Sequence, residues 1–172
     1  MSKSPVCLEV ELTASDVMSK DPLTVPVSLS LHQLARVLFE NRIKGAPVTN
    51  AAGELVGVVS QGDIIGLGAR ESDAMDEGPS YFHTIESEDM DWYSEDMQFN
   101  HPAESCVADV CSTIVFTAHP DTPLLEVAAT MVGHGVHRII VVQDEIPVGI
   151  ISILDVLAGL VRCRVESMQA RV

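Results

Sequence analysis

The sequence predicts an α/β (α+β) protein: two β-α-β-β-α repeats packed sheet to sheet with pseudo-two-fold symmetry, and an acidic insertion between them. Three observations lead there. A segment of about fifty residues occurs twice in register. Each copy runs through the same order of hydrophobic periods. Finally, 172 residues with 47% hydrophobic content can bury a core, whereas one repeat alone hides too little apolar surface to be stable.

The repeat is read directly. Residues 16–65 are DVMSKDPLTVPVSLSLHQLARVLFENRIKGAPVTNAAGELVGVVSQGDII, and residues 109–157 are DVCSTIVFTAHPDTPLLEVAATMVGHGVHRIIVVQDEIPVGIISILDVL. Asp16 matches Asp109, Thr24 matches Thr117, Leu31 matches Leu124, Ala35 matches Ala128 and Val48 matches Val141, all 93 residues apart. After a one-residue deletion the spacing is 92, and Gly57, Ser60 and Asp63 match Gly149, Ser152 and Asp155. The gap falls in a turn, where a structural repeat tolerates it.

Each element follows in order. An extended stretch surrounds Thr24 or Thr117. The apolar spacing of Leu31, Leu34, Ala35 and Leu38, and of Leu124, Val127, Ala128 and Met131, then predicts an amphipathic helix. Strands are expected at 46–49 and 55–59 around a turn from Asn50 to Gly53, and at 139–142 and 148–151 around Gln143 to Glu145. Val56, Val58, Val59, Ile150 and Ile151 favour a pleated, buried surface. A second helix opens at Asp63-Ile64-Ile65 and at Asp155-Val156-Leu157, continuing in the second copy through Leu160 and Val161. This divides the chain into a first domain with an N-terminal extension at 1–66, an insertion at 67–105, and a second domain with a C-terminal helix at 106–172.

The insertion differs in composition. Ten acidic residues lie between Glu71 and Asp96, and no Lys or Arg occurs between Arg70 and Arg138. It holds Tyr81, Phe82, Trp92, Tyr93 and Phe99, five of the chain's seven aromatic residues. Its bland role is a solvated linker with a few anchoring side chains; its sharper one is a segment that orders against a surface.

The formal charge of −15 excludes nucleic acid as a main partner, because such affinity comes from Lys and Arg displacing counterions. No apolar run is long enough to span a bilayer, and the N-terminus lacks a secretory pattern, so a cytoplasmic location without membrane attachment is expected. Cys7, Cys106, Cys111 and Cys163 form no C-x-x-C pair. They are expected to be reduced, with Cys106 and Cys111 small and buried.

Two copies of Gly-h-h-Ser-x-x-Asp (h apolar) stand at GVVSQGD, 57–63, and GIISILD, 149–155. With them come PLTV and VFTA, Ile43-Lys44-Gly45-Ala46-Pro47-Val48 and Val136-His137-Arg138-Ile139-Ile140-Val141. These features resemble a tandem pair of cystathionine-β-synthase (CBS) domains, a Bateman module, over about 100 of the 172 residues. The resemblance implies two CBS repeats and a non-catalytic regulatory module, with no cofactor required. It implies an adenine nucleotide (AMP, ADP or ATP) or S-adenosylmethionine bound in clefts between the repeats, in the manner of an energy sensor. It also implies a homodimer, and a regulated protein that reads the bound state.

By that resemblance Asp63 and Asp155 accept hydrogen bonds from ribose hydroxyls, while Ser60 and Ser152 donate to phosphate oxygens. The base slots near Thr24, Val25, Ala46 and Pro47 in one cleft, and near Thr117, Ala118, Ile139 and Ile140 in the other. Phosphates need cations in so acidic a protein. Lys44, His137 and Arg138 are the candidates, with Arg42 nearby. Because the first copy has Lys44-Gly45 where the second has His137-Arg138, one good nucleotide site is expected rather than two.

Ser-x-x-Asp is also a capping box, which a fold can keep for stability alone. The rival reading is therefore a ligand-free dimerisation scaffold. The helix face with Leu154, Val156, Leu157, Leu160 and Val161 suits such a contact. His134-x-x-His137 beside His119 lacks Cys or carboxylate partners at metal-binding spacing. Gly62, Gly66 and Gly68 follow GxxxGxG, which is not a dinucleotide fingerprint. No nucleophile signature is present, so no enzyme is expected.

Overall fold

The computed structural model describes residues 12–65 and 105–169. Most of the acidic insertion lies outside them, as do Cys7, Gly66, Gly68, His83 and His101. In chain order the elements are α1 (Ala14–Val17), β1 (Ser19–Lys20), β2 (Val25–Pro26), α2 (Leu31–Glu40), β3 (Gly45–Thr49), β4 (Leu55–Ser60) and α3 (Gln61–Ile65). A 3-10 turn at Val107–Asp109 then leads to β5 (Thr117–Ala118), α4 (Leu124–His134), β6 (Arg138–Gln143), β7 (Ile146–Ser152) and α5 (Ile153–Gln169).

The helices form where the apolar stripe predicts. Leu31, Leu34, Ala35 and Leu38 of α2 are buried, as are Leu124, Val127 and Met131 of α4. Ser30 caps α2 in a box with Gln33. Both helices end with one residue in the left-handed region, at equivalent positions: Arg42 at φ 53° and Gly135 at φ 64°. The Ile43 N–H then donates to the Leu38 carbonyl, and the Val136 N–H to that of Met131. That is the 6→1 bond of a Schellman end, satisfying carbonyls the helix leaves without partners.

Both hairpins carry a register shift at the same place, between Val48 and Thr49 and between Val141 and Val142. Their turns differ, as the alignment gap requires. The second is a two-residue turn with Asp144 and Glu145 both at positive φ, the twist hairpins favour. The first is longer, with Gly53 at φ 85° and the Asn50 side chain accepting from the Ala52 and Glu54 N–H groups.

One sheet has the order β2-β3-β4 and the other β1-β7-β6-β5. Strand β1, which belongs to the first repeat by sequence, pairs antiparallel with β7 of the second. The exchange is reciprocal, because Ser112, equivalent to Ser19, bridges Val58 of β4. Thr13 likewise bridges Pro123, while Cys106 bridges Ser30, so each arm reaches the start of the other repeat's first helix. The two cores obey the same rule. Ala14 lies among the second repeat's Val127, Ile139 and Ile151, and Val107 and Val110 lie among the first repeat's Leu34, Val48 and Val59. Each half is thus completed by the arm of its twin.

The arms are capped alike. The Asp16 Oδ2 accepts from the Thr13 N–H at 2.8 Å, and the Asp109 Oδ2 from the Cys106 N–H at 2.8 Å. Among the described residues Cys106, Cys111 and Cys163 form no disulfide; Cys163 is buried, whereas Cys106 and Cys111 are half-buried, less enclosed than expected. Among the described residues no helix is long and apolar enough to cross a membrane.

Candidate functional site

The second strand of each hairpin runs directly into a helix, so Ser60 and Ser152 stand at helix starts with Asp63 and Asp155 in the first turn. Here the Ser-x-x-Asp motif forms a capping box twice. The Asp63 Oδ2 accepts from both the N–H and the hydroxyl of Ser60, each at 2.7 Å. The Asp155 Oδ2 does the same with Ser152, again at 2.7 Å. In return the serine oxygens accept from the aspartate N–H groups at 3.4 and 3.3 Å. The carboxylate thereby takes the serine N–H, the serine oxygen takes the aspartate N–H, and the negative charge sits at the positive end of the helix.

The cation candidates lie beside these boxes. Gly45, next to Lys44, pairs with Ser60, and the Gln61 N–H donates to the Lys44 carbonyl at 2.8 Å. In the second repeat Arg138 pairs with Ser152 itself, and the Ile153 N–H donates to the His137 carbonyl at 2.9 Å. Lys44, His137 and Arg138 are half-buried, as are Asp63 and Asp155, whereas Ser60 is only 1% exposed. Arg42 is exposed at its helix end. Backbone pairing therefore brings serine, aspartate and cation together at one end of each hairpin.

Of the expected base-binding residues, the side chains of Val25, Ala46, Pro47, Ile139 and Ile140 are buried, and Ile139 also lines a pocket of the second repeat. Thr24 and Thr117 are exposed. Val25 and Thr117-Ala118 lie on β2 and β5, each an edge strand with backbone groups on one side outside the ladder.

A pocket of about 330 Å³ opens in the second repeat, with Thr117, Ala118 and Ile139 in its lining; His137, Arg138, Ser152 and Asp155 do not line it. The sequence reading missed its other walls, Thr122, Glu126 and Thr130. A comparison of each with its twin, Leu29, Gln33 and Val37, is the signal that finds them.

The glycines of the two motifs have a structural cause. A Cβ on Gly57 would meet the Ser112 carbonyl oxygen at 2.6 Å, and one on Gly149 would meet the Met18 sulfur. At Gly57 only a hydrogen side chain lets the exchanged arm cross, whereas at Gly149 the crowding comes from the flexible Met18 side chain. Among the described residues no group of His, Cys, Asp and Glu is arranged to hold a metal.

Comparisons with known proteins agree with this architecture. An uncharacterised protein of Methanocaldococcus jannaschii is 30% identical over 153 residues, covering 85% of this chain and 89% of its own. The CBS domain pair of protein MJ0100, solved in complex with 5′-methylthioadenosine and S-adenosyl-L-methionine, superposes with a TM-score of 0.61 at 22% identity, covering 88% of this chain and 97% of that one. CBSX2 in complex with AMP gives 0.62 at 21% identity, with 88% and 98% covered. The family model described as CBS domain matches residues 14–69 and again 107–162, more than half of the chain. The exchanged arms, the paired hairpins and the twofold match together place this chain in the CBS domain family, as a tandem pair.

Proposed function

We propose that the pair is a non-catalytic regulatory module that binds an adenine nucleotide of the AMP, ADP or ATP class between its repeats. Binding shifts the packing of the two halves, and a regulated protein reads that shift. One observation carries the reading. Both capping contacts of Asp155 fall on Oδ2, so among the described residues its Oδ1 accepts no hydrogen bond, while Arg138 stands in register with Ser152. A carboxylate has lone pairs to spare after capping. It can hold a ribose hydroxyl while the adjacent guanidinium takes a phosphate. Capping and ligand binding are then two uses of one side chain.

In this reading Asp63, Ser60 and Lys44 form the weaker counterpart of Asp155, Ser152, His137 and Arg138. The base is read by backbone groups of the edge strands near Thr24-Val25 and Thr117-Ala118, because the side chains of Ala46, Pro47 and Ile140 are buried. The MJ0100 and CBSX2 complexes support an adenosine ligand for this architecture. Thermal-shift measurements with AMP, ADP, ATP, S-adenosylmethionine and NADH test the reading. A ligand that binds only the native state must raise its stability. A rise of several degrees with at least one adenine nucleotide is expected, and a flat response to all at millimolar concentration refutes it.

A second reading, a ligand-free dimerisation scaffold, draws on a different observation. Leu154, Leu157 and Val161 of α5 are 68%, 52% and 63% exposed, and Leu125 and Val132 of the adjacent α4 are exposed as well. Val156 and Leu160, grouped with that face from the sequence, instead pack on the core. The equivalents of Leu125, Val132 and Leu154 in the first repeat are His32, Phe39 and Gly62, so this apolar face is stronger in one half. We assign it to a second copy of the chain. Sedimentation of Leu157→Glu against wild type checks this: a monomer is expected, and an unchanged dimer contradicts it.

A further inference from the structure

The pocket of the second repeat is lined by residues that differ in size from their twins, although both repeats share the same helix, strands and bulge. Ala118, Thr122 and Val127 stand where the first repeat has Val25, Leu29 and Leu34. Ile139 against Ala46 works in the other sense, but it is buried and serves as floor. Leu29 and Val37 pack on the first core, whereas the polar Thr122 and Thr130 line a pocket of about 330 Å³ in this half.

The lining selects a ligand by charge. It contains no Lys or Arg, and its full negative charge is Glu126. Among the described residues nothing hydrogen-bonds or ion-pairs with that carboxylate; Thr130 donates to the Glu126 backbone carbonyl instead. The His119 Nδ1 is engaged by its own loop, accepting from the Asp121 N–H at 3.3 Å. The mouth is thus acidic, with threonine hydroxyls around it and apolar Val127 and Ile139 beneath.

We propose that this pocket binds a small primary ammonium compound with a short aliphatic body. The ammonium presents three donors to the Glu126 carboxylate and the hydroxyl oxygens, and the aliphatic stem covers the apolar floor. The field of a protein at −15 raises the local concentration of such cations and lowers that of phosphates. The site shares Thr117 and Ala118 with the base end of the nucleotide reading, whereas Asp155, Ser152, His137 and Arg138 take no part in it.

Titration of the isotope-labelled chain with n-butylammonium and with 1,5-diaminopentane, followed by amide NMR at physiological salt, tests the proposal; n-butanol is the neutral control. Saturable shifts at Thr117, Ala118 and Thr130 are expected, weakened at least fivefold by Glu126→Gln. Ala118→Val with Thr122→Leu, which copies the twin's residues, is expected to abolish them. Should that pair unfold the protein, exposed Glu126→Gln still decides the matter. Absence of saturation, equal shifts with n-butanol, or a loss below fivefold in Glu126→Gln overturns the proposal. No nucleotide enters the experiment, so its failure and that of the regulatory reading are told apart.

Discussion

Ser112 exchanges both backbone hydrogen bonds with Val58: the N–H of each donates to the carbonyl of the other at 2.9 Å. Its twin Ser19 stands in register with Ile150, the twin of Val58. The two halves are therefore stitched by backbone, not only by side-chain packing. Both crossings run over a glycine, but the two crowded atoms differ in kind. Against Gly57 it is a carbonyl oxygen, which cannot be trimmed; against Gly149 it is the flexible Met18 side chain. Gly57→Ala is expected to cost about 2–3 kcal/mol in chemical denaturation, within the range for overpacking. Gly149→Ala is expected to cost somewhat less and to couple favourably with Met18→Ala by at least about 1 kcal/mol in a double-mutant cycle. No truncation at Cys111 or Ser112 should rescue Gly57→Ala, and such a rescue would show that the carbonyl is not the obstacle.

The left-handed helix ends give a prediction free of contacts. A Cβ on Gly135 meets nothing within 4 Å, yet the residue sits at φ 64°. Gly135→Ala is expected to cost about 1 kcal/mol, all of it backbone conformation. Urea denaturation measures this, and an unchanged midpoint would contradict the assignment.

The arm caps predict an acid response. The Thr13 backbone N–H, then its hydroxyl, hold the Asp16 carboxyl below its ordinary range; burial opposes this and the Arg162 charge adds to it. The Cys106 backbone N–H, then its side chain, lower Asp109, again against burial. A carboxyl lowered on folding stabilises fully above its unfolded value, and that stability is lost as pH falls through the folded value. Melting temperature should therefore decline below about pH 4. The decline should be shallower in Asp16→Asn with Asp109→Asn; parallel curves for the two proteins would refute the linkage.

Much of this fold was legible in the sequence because its signals are local. The stripe from Leu31 to Leu38 is a period of one helix, and the deletion beside Gln143 marks a turn that indeed shortens to two residues. The arm exchange was not legible, since a two-residue strand such as Ser19–Lys20 carries no mark of which sheet it joins. For the same reason the crossing that Gly57 and Gly149 permit leaves no mark in the sequence beyond the motif itself. Arg42 also holds a left-handed backbone position that its twin fills with Gly135, which no sequence signal marks. Ser-x-x-Asp was legible as a cap because its signal is local, and both copies form the box.

The most direct measurement is calorimetric titration of AMP and ATP into the wild-type chain, Asp155→Asn and Asp63→Asn. Asparagine keeps one oxygen for the serine contacts but turns the other position into a donor. The account predicts at least a tenfold loss of nucleotide affinity in Asp155→Asn, with the fold retained, and a clearly smaller loss in Asp63→Asn. Equal affinities in all three proteins, or equal losses in the two variants, would contradict it.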